Sequence, residues 1–141
     1  MGDEEEIRKV IVDNYFGKIC DQYNQEDSHW KSTFTADARF YRANDVHAGR
    51  EAIKNNFGLR GSKMLSNKHV SSNLELKVVG DRGSATCEWS WSSLREGKRD
   101  TMLGYNSFSL RKENGRWLIE EIRKTTRGGY LNEVPDPKKT V

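Results

Sequence analysis

Hydrophobic residues at the start of the chain recur at spacings of three and four positions. The repeat extends from residue 4 to residue 25 and places the apolar side chains on one face of a helix. The residues of this face are Ile7, Val10, Ile11, Tyr15, Ile19 and Tyr23. We therefore predict a long first helix that packs one side against a core.

Two shorter helices and a brief strand are predicted to follow. Asp27 suits the N-cap of a second helix that ends near Phe34, because its carboxylate can accept a hydrogen bond from a free backbone N–H. Residues 38–42 then turn extended. The sequence from His47 through Phe57 predicts a third helix, which glycines end on its C-terminal side. The N-terminal part of the chain is thus expected to be mainly helical.

The hydrophobic pattern changes to a period of two from Ser66 onward. Apolar and polar residues alternate over 74–78 and again over 85–91, as they do in strands with one buried face. Two more strands are predicted over 102–111 and 117–124. Tight-turn sequences separate the four strands at 80–83, 95–98 and 113–116. Long strands joined by short turns predict an antiparallel meander.

Helices followed by a meander predict one α+β domain, in which three N-terminal helices pack on a curved, mainly antiparallel sheet. The chain of 141 residues is long enough for one core and shows no internal repeat. We place the domain at residues 1–126. Residues 127–141 lack either periodicity and contain both prolines, so we expect a flexible C-terminal tail or a flap over a pocket.

Charged residues of both signs are mixed along the chain. Lys and Arg number 24 and Asp and Glu 21, which gives a formal net charge of +3. Nucleic-acid binders concentrate cations and aromatic residues on one face, and no such cluster occurs in the pattern, so we expect no nucleic-acid partner. The chain has neither an apolar run of about 18 residues nor a cleavable leader pattern. We therefore expect a soluble, cytoplasmic protein with no membrane partner.

Residue types that bind metals or cofactors do not occur at the spacings that these ligands need. Cys20 and Cys87 lie far apart without a CxxC or Cys/His spacing, so we interpret both as small core residues. His29 and His47 lie beside turns without a carboxylate at ligand spacing, and we interpret them as surface residues. No glycine-rich phosphate-binding motif occurs. We expect no metal and no cofactor.

Several segments of the chain, taken together, resemble one known superfamily. They are Tyr-Asn-Gln-Glu-Asp at 23–27, Phe-Thr-Ala-Asp-Ala at 34–38 and His-Ala-Gly-Arg-Glu-Ala-Ile at 47–53. With the long first helix and Trp30, these segments resemble the SnoaL-like members of the NTF2-like superfamily over residues 5–125. The stretch 69–81 is most similar to the scytalone dehydratase branch.

The resemblance implies a cone-shaped fold with a pocket, and a cofactor-independent dehydratase, isomerase or cyclase. Such an enzyme acts by acid–base chemistry on a small, mostly apolar carbonyl compound, such as a polyketide, terpenoid or aromatic intermediate. The catalytic residues that it implies are His69, Tyr23 and Tyr41. We assign substrate binding to Asn24, Asn106, Trp89 and Phe108. Two features depart from the dehydratase pattern: Asn24 stands where that enzyme has an acid, and no second His occurs near residues 99–102.

His69 is the residue on which this chemistry depends. It has the same parity along its strand as Ser71 and Asn73, so its side chain is expected on their face or at a pocket rim. A neutral His can take a proton from an acidic carbon or from water, and tyrosine hydroxyls can stabilise the negative charge that develops. The alternative is a polar strand residue bonded to neighbouring backbone. Trp89 and Trp91 share one face and line either the pocket or an interface.

A non-catalytic function is the second hypothesis. The same fold can serve as a small-ligand-binding or dimerisation module, because a fold does not determine function. Apolar residues of both parities on the third long strand predict a homodimer through the sheet face. These residues are Leu103, Tyr105, Phe108 and Leu110.

Overall fold

The computed structural model describes residues 2–61, 66–95 and 98–130. The chain begins with a helix that is α-helical at first and then widens into a π-helix. The helical segments are α1 (Asp3–Lys9), the π-helical segment (Val10–Asp21), α2 (Asp27–Lys31) and α3 (Arg50–Gly61). The strands are β1 (Phe34–Arg42), β2 (Asp45–Ala48), β3 (Ser66–Val79), β4 (Arg82–Arg95), β5 (Lys98–Glu113) and β6 (Arg116–Tyr130). None of the helices described is long and apolar enough to cross a membrane.

The strands form a single sheet in the order β2-β1-β6-β5-β4-β3. Neighbouring strands run antiparallel except for β1 and β6, which are parallel. The helices pack against this curved sheet. The predicted α+β architecture and the predicted meander from β3 to β6 are therefore confirmed.

The region before α3 differs from the prediction. Residues 45–48 form strand β2 and pair with β1, so α3 begins at Arg50 rather than at His47. His47 lies opposite Phe40 in this pairing. A backbone that is bonded to a neighbouring strand cannot also form the first turn of a helix, and the helix starts only after the chain has turned at Gly49.

Two further boundaries differ. Asp27 is the first residue of α2 rather than its cap, and its carboxylate binds the ammonium group of Lys54 at 3.0 Å. Strand β6 extends through residue 130, and residues 128–130 pair with β5, so this part of the predicted tail belongs to the sheet. Residues 131–141 of that tail and residues 96–97 of a predicted turn lie outside the described residues.

The first helix packs the face that its spacing predicted against the sheet. The residues of that face that are buried are Ile7, Val10, Ile11, Tyr15 and Ile19, and Tyr23 is half-buried. Phe16 and Cys20 are buried as well, although the helical spacing did not place them on this face. A π-helix bonds each residue to the fifth along, so its turns are wider and adjacent positions such as Tyr15 and Phe16 both reach the sheet.

The inner face of the sheet is apolar. Alternate residues of β4 are buried, as the pattern predicted: Ala85, Cys87, Trp89 and Trp91. Cys20 and Cys87 are free thiols in the core, which confirms their interpretation. On β5, Phe108 and Leu110 are buried while Leu103 is 49% exposed. Two of the residues predicted for a dimer face therefore belong to the core, and the homodimer stays a prediction that rests on Leu103 and Tyr105.

Strand β3 contains a bulge that reverses the direction of its side chains. Ser72 pairs with Glu88 and Glu75 pairs with Thr86, so β3 has one more residue than β4 in this interval. Asn73 takes up the extra length with a positive φ of 51°. Residues 67, 69 and 71 consequently face inward before the bulge, and residues 74, 76 and 78 face inward after it. Alternation across β3 predicted one parity throughout and was wrong at this point.

Gly104 lies where β5 passes directly beneath an indole ring. A Cβ atom at this position would lie 2.1 Å from Cζ2 of Trp89 and 2.4 Å from the carbonyl oxygen of Thr125. Both distances are far shorter than any van der Waals contact between such atoms. The absence of a side chain at Gly104 is therefore what allows Trp89 to lie flat on the inner face of the sheet.

Candidate active site

A small cavity lies between the π-helical segment and the inner face of the sheet. Its aromatic wall consists of Tyr15, Phe16, Phe40, Phe57, Trp89 and Trp91. Its polar lining consists of Cys20, Tyr23, Arg60, His69, Asn106 and Lys124. The space open to the centre of a water molecule measures about 30 Å³. That is room for about two water molecules, so most of the cone is filled by side chains.

His69 forms a close pair with Asp21, the last residue of the π-helical segment. The distance from Nδ1 of His69 to Oδ1 of Asp21 is 2.7 Å, and the backbone N–H of His69 donates to the same oxygen at 2.8 Å. Each of the two side chains is only 11% exposed. Because the carboxylate accepts both bonds, the proton of the neutral imidazole lies on Nδ1, and Nε2 is left with a free lone pair.

The surroundings of His69 keep its imidazole neutral. Burial lowers the pKa of His69 below its ordinary value of 6.5. The hydrogen bond and the charge of Asp21 act in the opposite direction, while the positive charges of Lys124 and Arg60 add to the lowering. The ring also packs against Phe16 and Trp89, with centroid distances of 5.5 and 6.0 Å. His69 therefore has the protonation state and the fixed orientation that a general base needs.

Sequence reasoning missed Asp21. The resemblance implies an acid directly after Tyr23, where Asn24 stands, and a period of 3.6 residues turns position 21 to the side of the helix opposite Ile19 and Tyr23. In the π-helical segment Phe16 and Asp21 are one wide turn apart, and both contact His69. One signal was present, since a carboxylate in the last turn of a helix is unfavourable next to the negative end of the helix dipole.

Two asparagines hold the indole groups of the cavity wall. Asn106 is buried, and its Oδ1 accepts a hydrogen bond from the indole N–H of Trp89 at 2.9 Å. Asn67 accepts the indole N–H of Trp91 and donates its own amide to the carbonyl of Cys20. The bonds of Asn67 join the end of the helix to the sheet. The bond from Trp89 directs the NH₂ group of Asn106 away from the indole, so that it is available to a ligand.

The structure brings four of the seven predicted site residues to the cavity. They are His69, Tyr23, Asn106 and Trp89. His69 reaches it only because the bulge in β3 reverses the parity of the strand. Tyr23 carries its hydroxyl there from a backbone with a positive φ of 51° just after the helix, and burial raises its pKa.

The other three predicted residues have structural roles. Tyr41 alternates with the inward-facing Phe40, so it lies on the outer face of the sheet, where the guanidinium carbon of Arg123 lies 4.1 Å from its ring centroid. Asn24 forms a turn, in which its Oδ1 accepts the backbone N–H of Glu26 at 2.8 Å. Phe108 is buried behind the cavity wall, with its ring 5.6 Å from that of Tyr15.

Lys124 and Arg60 also line the cavity, and no sequence pattern indicated either residue. The ammonium group of Lys124 lies 4.8 Å from the ring centroid of Trp89. Burial, together with the positive charges of Arg60 and Arg42, lowers the pKa of Lys124 to about 8. The cavity thus holds a charged group whose burial is costly to the fold.

Replacing Lys124 with Met is expected to stabilise the protein by about 2 kcal/mol at neutral pH. The pKa of Lys124 falls from 10.5 in the unfolded chain to about 8 in the folded protein, which corresponds to a cost of about 3 kcal/mol. The lost cation–π contact with Trp89 offsets about 1 kcal/mol of the gain. Urea denaturation at several pH values measures the free energy of unfolding.

The pH dependence of this gain has a definite sign. Below the folded pKa of about 8, both states are protonated and the folded protein carries the whole cost. Between about 8 and 10.5 the unfolded state binds more protons, so the stability of the unmodified protein rises with pH and the gain disappears. Lys112→Met is the control, because Lys112 also lies over a tryptophan, 5.9 Å from the ring centroid of Trp117, but outside the cavity. A gain that did not change with pH would show that Lys124 is not a buried charge.

The described part of the chain has no group of three or more His, Cys, Asp or Glu side chains that could hold a metal ion. The polar groups of the cavity are one imidazole–carboxylate pair, two phenols, one thiol, one amide and two cations. A helix packed across a curved sheet, with such a cavity between them, defines an α+β cone protein with a polar pocket. The chain belongs to the SnoaL-like domain family, whose model matches residues 1–123. No curated protein matches the sequence significantly.

Solved structures with the same fold include members of the NTF2-like superfamily. A protein of that superfamily from Salmonella enterica serovar Typhimurium is 20% identical, with a TM-score of 0.79, over 89% of this chain and 91% of that one. A candidate scytalone dehydratase from Novosphingobium aromaticivorans is 16% identical, with a TM-score of 0.81, over 99% and 95%. A hexachlorocyclohexane dehydrochlorinase, LinA type 2, is 12% identical, with a TM-score of 0.79, over 90% and 86%. These likenesses confirm the NTF2-like cone.

Proposed function

We propose that the protein is a cofactor-independent lyase or isomerase that removes a proton from a carbon atom of a small, mostly apolar carbonyl compound. The observation that carries this proposal is the nearly buried His69–Asp21 pair, whose imidazole lines an aromatic cavity. A neutral imidazole held by a carboxylate is a recurrent general base, since the carboxylate fixes the tautomer and stabilises the imidazolium that forms.

The proposed reaction begins with transfer of a proton from the carbon next to the carbonyl group to Nε2 of His69. The electron pair of the broken C–H bond moves into the carbonyl group and forms an enolate. In an elimination, the enolate then expels a leaving group from the neighbouring carbon, and the imidazolium returns its proton to that group. In an isomerisation, the imidazolium returns the proton to a different carbon. Both courses leave the protein in its starting state.

Tyr23 and Asn106 are the proposed hydrogen-bond donors to the carbonyl oxygen. The hydroxyl of Tyr23 stays protonated because burial raises its pKa. The NH₂ group of Asn106 is oriented by the bond from Trp89 to Oδ1 of the same amide. Donors fixed in advance at the place where negative charge develops lower the barrier, because they need no reorganisation during the reaction.

The names of two structural neighbours support an elimination. A dehydratase removes water and a dehydrochlorinase removes hydrogen chloride, and both names occur among solved structures of this fold. Each of these reactions needs a base that takes a proton from carbon, which is the role proposed for His69. A groove outside the cavity, between the helix and β3, also reaches Asp21 and His69 and offers the pair a route for proton exchange with solvent.

The small size of the cavity favours a second candidate, a binding module without catalysis. A space of about 30 Å³ accepts only water or one small chemical group unless side chains move. A protein whose cone is filled in this way can use the fold for assembly, and the polar residues then serve packing. The two candidates differ in whether proton exchange at carbon depends on the protein.

The test is proton exchange at the carbon next to the carbonyl group, for a panel of cyclic ketones in deuterated water, followed by NMR. We expect one or more ketones to exchange faster with the protein than in buffer. The rate should fall as the pH drops through the pKa of His69, below its ordinary value of 6.5, because a protonated imidazole cannot accept a proton. Rates equal to those in buffer for every ketone would support the binding module instead.

A further inference from the structure

The proposed base chemistry makes no use of the two cations in the cavity. Lys124 and Arg60 both line it, and no Asp or Glu is among the residues of its lining. Within the described residues, the ion pairs include neither of these two side chains. The ammonium group of Lys124 lies over the face of Trp89, at 4.8 Å from the ring centroid.

A third cation adds to this charge. Arg42 is half-buried beside the cavity, where its guanidinium donates to the neutral amide of Asn56 at 2.9 Å and lies 5.5 Å from the ring centroid of Phe40. Neither contact neutralises it. Among the described residues, Asp21 is bonded to the neutral His69, and the exposed Asp45 acts on Arg42 from the outside of the cavity lining. The interior of the cone therefore has an excess of positive charge.

Unpaired charges in a protein interior are costly, and proteins offset that cost with a partner of opposite sign. Carboxylates fit such a place well, because two oxygens can bind the fork of a guanidinium and an ammonium group at once. We propose that the ligand of this cavity is a small organic acid bound as its anion, with its carboxylate between Lys124 and Arg60. This inference rests on the proposed function for the reaction, but not for the binding.

The geometry gives the anion a fixed place relative to the base. His69 lies on β3 and Lys124 on β6, and both contact Trp89, from which the ring of His69 is 6.0 Å away. A carboxylate held by the two cations thus leaves the rest of the ligand on the aromatic wall beside His69. An acid of this kind loses a proton from a carbon atom less readily than a neutral ketone, unless cations offset the charge that develops. The two cations supply that compensation.

The test compares benzoate with benzamide, which has nearly the same shape and no charge. Both probes are larger than the present cavity and need the same movement of its side chains, so the comparison isolates the effect of the charge. Isothermal titration calorimetry at neutral pH measures the dissociation constant of each probe for the full chain. We expect benzoate to bind about tenfold more tightly than benzamide. Lys124→Met should weaken the binding of benzoate about tenfold and change the affinity for benzamide by less than about twofold. Arg60→Gln should likewise weaken the binding of benzoate.

Two further variants make the result specific. Lys112→Met removes a lysine that also lies over a tryptophan ring but outside the cavity, and it should leave benzoate binding unchanged. His29→Gln changes a histidine outside the cavity and should also bind benzoate as the unmodified protein does. Calorimetry measures binding without turnover, so this inference is tested separately from the proposed function. Equal binding of benzoate and benzamide, no binding of benzoate, or equal losses in Lys124→Met and Lys112→Met would overturn it.

Discussion

Replacing His69 with Gln is expected to lower the rate of proton exchange at carbon by about a thousandfold, which is within the range that a general base contributes. Gln has a side-chain NH₂ that can donate to Asp21, so the buried carboxylate keeps a partner and the fold is retained. Its amide oxygen is far too weakly basic to take a proton from carbon. The rate is measured by NMR with the ketone that exchanges fastest with the unmodified protein.

Asp21→Asn keeps His69 in the protein but removes the carboxylate that positions it. The uncharged amide oxygen accepts the two N–H groups of His69 more weakly than the carboxylate and does not stabilise the imidazolium that forms, so we expect a decrease of about a hundredfold. The acid limb of the pH profile should also move to lower pH, because Asp21 raises the pKa of His69 in the intact pair. A role in folding alone would lower the amount of folded protein without moving that limb.

His29→Gln is the matched control for both variants. His29 is a half-buried histidine on α2 and does not line the cavity. The rate of this variant should stay within about twofold of the original, as for most substitutions outside a site. If His69→Gln kept a rate close to that of His29→Gln, His69 would not be the base.

Gly104→Ala is expected to destabilise the fold by about 3 kcal/mol, at the upper end of the range for overpacked interiors. The added Cβ atom would lie 2.1 Å from the ring of Trp89 and 2.4 Å from the backbone oxygen of Thr125. The ring is held by its bond to Asn106, and a backbone oxygen in a sheet cannot move without breaking the pairing of β5 with β6. Urea denaturation measures the loss in the free energy of unfolding.

Gly128→Ala is the control for this substitution. Gly128 lies opposite Leu103 on β6, next to the same part of β5, and a Cβ atom there would meet nothing within 4 Å. We expect a change of less than about 0.5 kcal/mol. If the two alanine variants were equally stable, the close approach of Trp89 to β5 would be incorrect.

The elements with a regular period were predictable from the sequence, and the site was predictable only in part. Ile7, Tyr15 and Ile19 follow a helical spacing, and Cys87 and Trp89 follow a strand spacing, because each faces a continuous core. These periods are sufficient to predict the α+β fold. They predict the site only where the geometry is regular, as at Trp89, which lines the cavity, one of the two places predicted for it.

The errors at the site come from local departures from those periods. The wide turns of the π-helical segment bring Asp21 to His69, and the bulge at Asn73 turns His69 inward. No rule based on a constant period finds either one. Lys124 was missed for a similar reason, because a shift in the pairing of β5 with β6 near Ser109 changes which residues of β6 face the core.

The bulge in β3 also bears on how such proteins diverge. The core is anchored by the part of β3 after the bulge, whereas His69 lies before it. Loss of one codon at position 72 or 73 would restore simple alternation and point the imidazole to the solvent, with every other amino acid unchanged. The length of one strand, rather than the identity of its residues, then decides whether the proposed base reaches the cavity. Comparisons of related chains that score substitutions and ignore single-residue gaps overlook this kind of change.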